Sequence, residues 1–132
     1  MVKLITNKFF YWGIILSCLL GLSSCHPPPH CIIPIDTRAS SFKVRFAQGK
    51  NCNRPPMRIS SVEFYSRDNL GKITYLWRIS SFPSQELVEL QYGILPKNFG
   101  QVVAKPLIPD TYIEVEVDSV AGDGYLKIMI TE

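Results

Sequence analysis

Thr111-Tyr112-Ile113-Glu114-Val115-Glu116-Val117-Asp118-Ser119-Val120 alternates apolar and polar residues with a period of two. Ile113, Val115 and Val117 fall on one face and Glu114, Glu116 and Asp118 on the other, which is the pattern of a half-buried strand. Ala121-Gly122-Asp123-Gly124 follows with turn chemistry. Tyr125 to Thr131 then returns with Leu126, Ile128 and Ile130 directed inward, so the segment reads as a hairpin.

The same period recurs upstream. In Ser41 to Gln48, Phe42, Val44 and Phe46 share one face, and Lys43 and Arg45 the other. Arg58 to Arg67 alternates with Val62 and Phe64 inside. Asp68-Asn69-Leu70-Gly71 supplies a turn, and Ile73 to Ser80 is the hairpin partner, with Ile73, Tyr75, Trp77 and Ile79 expected on one face. Gln85 to Ile94 is a further strand, expected to place Val88, Leu90 and Tyr92 together and Leu87 with Glu89 opposite. No window of 12 residues carries a helical period; any helix is a single turn near Pro96 to Gln101. About seven short strands predict an all-β fold, a small antiparallel immunoglobulin-like β-sandwich, with a small closed barrel as the competing architecture.

Pro106-Leu107-Ile108-Pro109-Asp110-Thr111-Tyr112-Ile113-Glu114-Val115 resembles the Leu-x-Pro-x-Thr-x-Tyr-x-Val entry to strand F of fibronectin type III and related immunoglobulin-like domains. The resemblance implies a tyrosine corner, in which the Tyr hydroxyl bonds back to the main chain. Tyr112 directly follows Thr111, one residue short of that spacing.

The N-terminus is of another kind. Lys3 and Lys8 precede an uncharged run of 14 residues, Phe9 to Leu22. A bilayer-spanning helix needs about 20 apolar residues, so the run fits the core of a signal peptide instead. Leu22-Ser23-Ser24-Cys25 resembles the lipobox of bacterial lipoproteins. That resemblance implies cleavage before Cys25, a diacylglycerol on its sulfur and a further acyl chain, such as palmitate, on its amine. It divides the chain into a signal peptide (1–24), a lipidated Cys with a Pro-rich tether (25–30) and a β-sandwich domain (31–132). His26 stands where an Asp favours inner-membrane retention in enteric members, which favours the periplasmic face of the outer membrane. Pro27-Pro28-Pro29 is a short, stiff tether rising about 3.1 Å per residue, so the domain is held close to the lipid.

Removing residues 1–24 leaves about 110 of the 132 residues, enough for one domain. Lys3 and Lys8 also carry two of the three net positive charges. The remainder has no basic excess of the kind that binds nucleic acid. Cys18 leaves with the signal peptide and Cys25 takes lipid, so Cys31 and Cys52 remain as a pair in an oxidising compartment. Their disulfide would close a loop of about 20 residues and stabilise by roughly 3 kcal/mol. Cys25, His26, His30 and Cys31 look like a metal cluster, but a thioether and a paired sulfur offer no thiolate, so no metal is expected. Covalent lipid on Cys25 is the only attached group expected.

Charge is unevenly spread. Arg38, Lys43, Arg45, Lys50, Arg54 and Arg58 occur without an intervening acid, and Asp110, Glu114, Glu116, Asp118 and Asp123 without an intervening base. They read either as solvated strand faces or as a basic patch for an acidic partner or anionic lipid headgroups. The body shows no Gly-x-Ser-x-Gly elbow and no phosphate loop, and both His residues fall in the tether, so no enzyme activity is expected.

Tyr92-Gly93-Ile94-Leu95-Pro96-Lys97-Asn98-Phe99-Gly100, followed by Leu107 to Val117, is similar to small proteobacterial lipoproteins, some of which are regarded as immunity proteins of contact-dependent secretion systems. The resemblance implies a membrane-anchored periplasmic inhibitor of a toxic, envelope-targeted effector. A scaffolding lipoprotein of an envelope secretion or assembly complex is the alternative, because fold does not decide function. Candidate partner-binding residues are Lys50, Asn51 and Arg54 in the Gly49 to Pro56 loop, and Lys97 and Phe99 in the Pro96 to Gly100 loop.

Overall fold

Tyr112–Ser119 is a strand, with Ile113, Val115 and Val117 fully buried. It belongs to a computed structural model that describes residues 30–132 apart from Met57 and Ala121. In chain order the strands are β1 (His30–Asp36), β2 (Lys43–Gln48), β3 (Ile59–Arg67), β4 (Ile73–Gln85), β5 (Glu89–Gln91), β6 (Gly100–Val102), β7 (Tyr112–Ser119) and β8 (Gly122–Met129). There is no helix among the described residues. Two antiparallel sheets form, a small one in the order β1-β2-β5 and a large one in the order β6-β4-β3-β7-β8. The fold is the expected all-β sandwich, built from eight strands rather than about seven.

The core lies between the sheets. Val44, Phe46 and Leu90 of the small sheet meet Val62, Phe64, Trp77, Ile79 and Val115 of the large one. Its centre is aromatic: the Phe64 ring lies 6.3 Å from Phe42, 5.5 Å from Trp77 and 5.2 Å from Tyr92. The Phe42 and Tyr92 contacts are edge-to-face and the Trp77 contact is tilted, and such pairs add to the area they bury. The Trp77 indole N–H donates to Gln101 Oε1 at 2.9 Å, so the large ring is buried without an orphaned donor.

Each side of the sandwich is closed differently. On one side β1 lies against β8: Thr131 N–H donates to the Thr37 carbonyl and Ala39 N–H to the Thr131 carbonyl, both at 2.9 Å. Gly124 makes the close approach possible. A Cβ there would meet Val117 Cγ1 at 2.8 Å and His30 Cβ and O at 3.0 Å. Sequence patterning assigns Gly124 to a turn, but it sits inside β8 as a packing gap. On the other side Tyr92 bridges the sheets, donating to the Lys105 carbonyl at 2.6 Å with the Leu76 carbonyl 3.1 Å away. Burial pushes its hydroxyl up to about 12. Tyr112 makes no such bridge; it is exposed, with the Lys127 ammonium 5.4 Å from its ring.

Two phase shifts depart from simple alternation. Phe64 pairs with Trp77 but Tyr65 pairs with Tyr75, so Leu76 is an extra residue, a β-bulge. Trp77 and Ile79 therefore face the core, while Ile73 and Tyr75 are exposed instead of sharing their face. Near the other end Ser61 pairs with Ser80 but Ile59 with Gln85, so Ser81 to Ser84 loop out of the ladder. The Gln85 to Ile94 strand shrinks to Glu89–Gln91, with Leu87 buried and Val88 exposed, the reverse of their expected faces.

Candidate functional site

Strand register brings several loops to one end of the sandwich. His30 pairs with Gln48, so β1 starts where β2 stops. Ile59, the first residue of β3, pairs with Gln85 at the end of β4 and with Ser119 at the end of β7. Ser119 pairs with Gly122, so the β7–β8 tip lies here as well. The chain enters the fold at this end.

The 49–53 loop is closed by backbone hydrogen bonds and a disulfide. Gln48 and Arg54 exchange backbone hydrogen bonds of 2.9 and 3.1 Å across its base, and Cys52 N–H donates to the Gly49 carbonyl at 3.1 Å. The backbone is left-handed at Gly49 (φ 92°) and Cys52 (φ 53°), the first favoured by glycine and the second held in place by its bonds. The expected disulfide is present: Cys31 and Cys52 are joined with their Cα atoms 5.8 Å apart, fastening the loop to β1. Lys50, Asn51 and Arg54 are exposed on this loop. Arg54 and Arg45 line a groove of about 450 Å³ that also has Pro55, Glu86 and Val88 in its walls.

Lys97 is exposed too, beside Asn98, whose carbonyl accepts from Ser81 Oγ at 2.9 Å. Phe99 requires a correction. It is 7% exposed and belongs to the core, because the left-handed backbone of Asn98 (φ 68°) turns the chain inward just before it. Its ring is not available as a partner anchor.

The outer face of the large sheet carries a second arrangement, which sequence reasoning missed. Arg78 Nη2 lies 2.7 Å from Glu63 Oε1, and its guanidinium sits over the Tyr75 ring at 4.8 Å. The Tyr75 ring packs edge-on against Tyr65, 6.0 Å away. Glu114 accepts from Arg67 Nε at 3.1 Å and from the Tyr125 hydroxyl at 2.6 Å. The Tyr125 bond and the nearby cations hold the Glu114 carboxyl below its ordinary value, while the Tyr125 hydroxyl is pushed up to about 12 by the carboxylate it serves. The available signal was the placement of Tyr112 and Tyr125 at polar-face positions of clean alternating strands.

Toward the end where β1 begins this face becomes acidic. Ser61, Glu63, Glu116, Asp118 and Asp123 line a shallow depression of about 280 Å³. Asp118 and Asp123 are register partners, and a hydrogen bond between their carboxyls raises the Asp118 value. A face of half-exposed tyrosines beside carboxylates favours cationic and aromatic groups.

His30 lies within the folded body, one residue before the expected boundary at Cys31, and is buried. Its Nε2 is 2.7 Å from Ser119 Oγ, and that hydroxyl donates to the Gly122 carbonyl at 2.8 Å. The direction of the Ser119–Nε2 hydrogen bond follows the histidine tautomer, and buried Nδ1 has no partner among the described residues. The imidazole clasps β1 to the β7–β8 tip. Burial lowers its pKa, opposed by the charge of Asp123.

Cys25, expected as the lipid-attachment site, lies with the lipobox-like segment and residues 26–29 outside the described residues. Among the described residues no helix is long and apolar enough to cross a membrane, and no group of three or more His, Cys, Asp or Glu side chains converges as a metal site. Comparison with protein-family models, curated proteins and solved structures finds no match.

Proposed function

We propose that this is a lipid-anchored periplasmic protein that acts by binding a protein partner, as an inhibitor of a toxic effector directed at the cell envelope. The lipobox-like Leu22-Ser23-Ser24-Cys25 supports the location. The observation that carries the binding reading is the outer face of the large sheet. Tyr75, Tyr112 and Tyr125 are each about half exposed, and each ring is already oriented by Arg78, Lys127 or Glu114. Tyrosine and arginine dominate the energetics of protein interfaces, and side chains fixed beforehand lose little entropy on binding. The partner presents cationic groups to Glu116, Asp118 and Asp123, which form no ion pair among the described residues.

The test is capture from envelope extracts with the lipidated protein, beside a Tyr75→Ala/Tyr125→Ala variant. Recovery of a hydrolytic enzyme whose activity falls on mixing, with at least tenfold weaker capture by the variant, supports the proposal. Recovery of secretion-complex components alone, undisturbed by the variant, overturns it in favour of a scaffold.

A further inference from the structure

The end of the sandwich where β1 begins brings together a chain entry, a group of cations and projecting apolar side chains. The chain reaches it at His30, five residues after Cys25. Five residues span at most about 18 Å when fully extended. The headgroup layer on each side of a bilayer is itself roughly 5–7 Å thick. With Cys25 acylated, the first strand therefore starts no more than about 11–13 Å beyond the headgroup layer, roughly one to one and a half Debye lengths, where surface potential is still felt.

Cations gather at this end. Lys50 and Arg54 project from the disulfide-fastened loop, and Arg45 lines the same groove as Arg54, with Glu86 as its one carboxylate; all three cations are exposed and make no ion pair among the described residues. Arg58 is exposed as well, its Nε donating to the Ser84 carbonyl at 2.9 Å. Asp118 and Asp123 stand on the large-sheet side, which inclines the small-sheet side toward negative charge.

Two apolar side chains project here, exposed among the described residues. Phe82 is fully exposed on the Ser81–Ser84 excursion of β4, which is braced by Ser81 Oγ and by Arg58. Val120, 78% exposed, caps the β7–β8 tip. Cations beside a projecting aromatic are the pattern of a surface that settles into the membrane interface, where rings sit at headgroup level.

We infer that this end of the sandwich rests on anionic lipid headgroups, with Lys50 and Arg54 on phosphates and Phe82 entering the interface. The inference rests on the lipid-anchor reading of Cys25. It reassigns Lys50 and Arg54 from partner contacts to membrane contacts and leaves Tyr75, Tyr112 and Tyr125, which the strand register sets further from this end, for a partner.

The test uses the mature chain, residues 25–132, with Cys25→Ser so that no acyl chain contributes and the Cys31–Cys52 disulfide intact. It should co-sediment with phosphatidylcholine vesicles containing about 30% phosphatidylglycerol, much less with phosphatidylcholine alone, and lose binding in high salt. Lys50→Gln/Arg54→Gln should lower the partition coefficient about 25-fold, at roughly fivefold per cation near the surface. Phe82→Ser, on an exposed excursion, should weaken it further without changing thermal stability. Equal binding to both vesicles, or binding unmoved by all three substitutions, overturns the inference; so does loss of an acidic protein partner, and not of vesicles, in the double variant. The anchor is judged separately, by the mass of the Cys25 peptide from membranes. Anionic-vesicle binding without acylation would remove the anchor and keep the surface.

Discussion

The two sheets of this sandwich hold their shape by different means. The large sheet has five strands, long β3–β4 and β7–β8 ladders, and a bonded network of tyrosines and charges on its outer face. The small sheet has three strands, one of them only three residues long, and its edge strand β1 carries Pro34. Proline there removes a donor that an edge strand can spare. What the small sheet lacks in ladder it recovers from a covalent cross-link and from core aromatics reaching across. A narrow sheet facing a wide one is thus held by its contacts with that sheet and by a constraint on its own loop.

The largest expected effect comes from cutting what the two sheets share. Phe64→Ala removes the ring that touches Phe42, Trp77 and Tyr92, and should cost about 3–5 kcal/mol. Denaturant unfolding measures this, and the loss should appear in both sheets together. Breaking the disulfide acts on the small sheet alone. Cys31→Ser/Cys52→Ser opens a cross-link spanning 21 positions and should cost about 3 kcal/mol. Hydrogen exchange should then accelerate in β1 and the 49–54 loop well before β3 or β7. Uniform acceleration across both sheets would break the comparison.

Sequence patterning served the large sheet better, and the reason is physical. β7 and the Asp68–Lys72 turn were legible because one constant register governs each; Asp68 Oδ1 accepts from Leu70 and Lys72 N–H, the turn its residue type favours. Alternation failed at Leu76, where the bulge adds a residue and moves Tyr75 to the outer face; two large adjacent apolar residues, Leu76 and Trp77, were the only local sign. Phe99 read as a loop anchor because nothing in Lys97-Asn98-Phe99-Gly100 reports the left-handed turn at Asn98. The Cys31–Cys52 pair was legible from the fate expected for Cys18 and Cys25. The gathering of Lys50, Arg54, Phe82 and Val120 at one end was not, because it depends on which strand ends coincide, a property of topology.

The seam where the sheets meet sharpens the comparison further. Gly124→Ala places a methyl against Val117 and the His30 backbone, and should cost about 1–3 kcal/mol by overpacking, since a main-chain neighbour cannot step aside. A thermal melt checks this. The same change elsewhere in an exposed strand would be nearly neutral, so a neutral result at Gly124 would mean that β1 does not depend on β8 for its place.

The smallest effect is the acid response of the same seam. Burial lowers the His30 pKa below the ordinary histidine value of 6.5, so the unfolded chain binds more protons than the folded one as pH falls through that value. His30 therefore contributes stability above pH 6.5 that is lost progressively on acidification toward its lowered value. Asp123 opposes this by attracting the imidazolium, and Asp118, whose pKa is raised by its bond to Asp123, adds an opposite trend. Comparison with a non-titrating variant between about pH 7 and 5 isolates the histidine contribution. Urea midpoints across that interval should fall for the native chain and flatten for His30→Gln, which keeps a polar group toward Ser119 but cannot titrate. An unchanged slope in the variant would move the acid sensitivity off the seam and into the carboxylates of the large sheet.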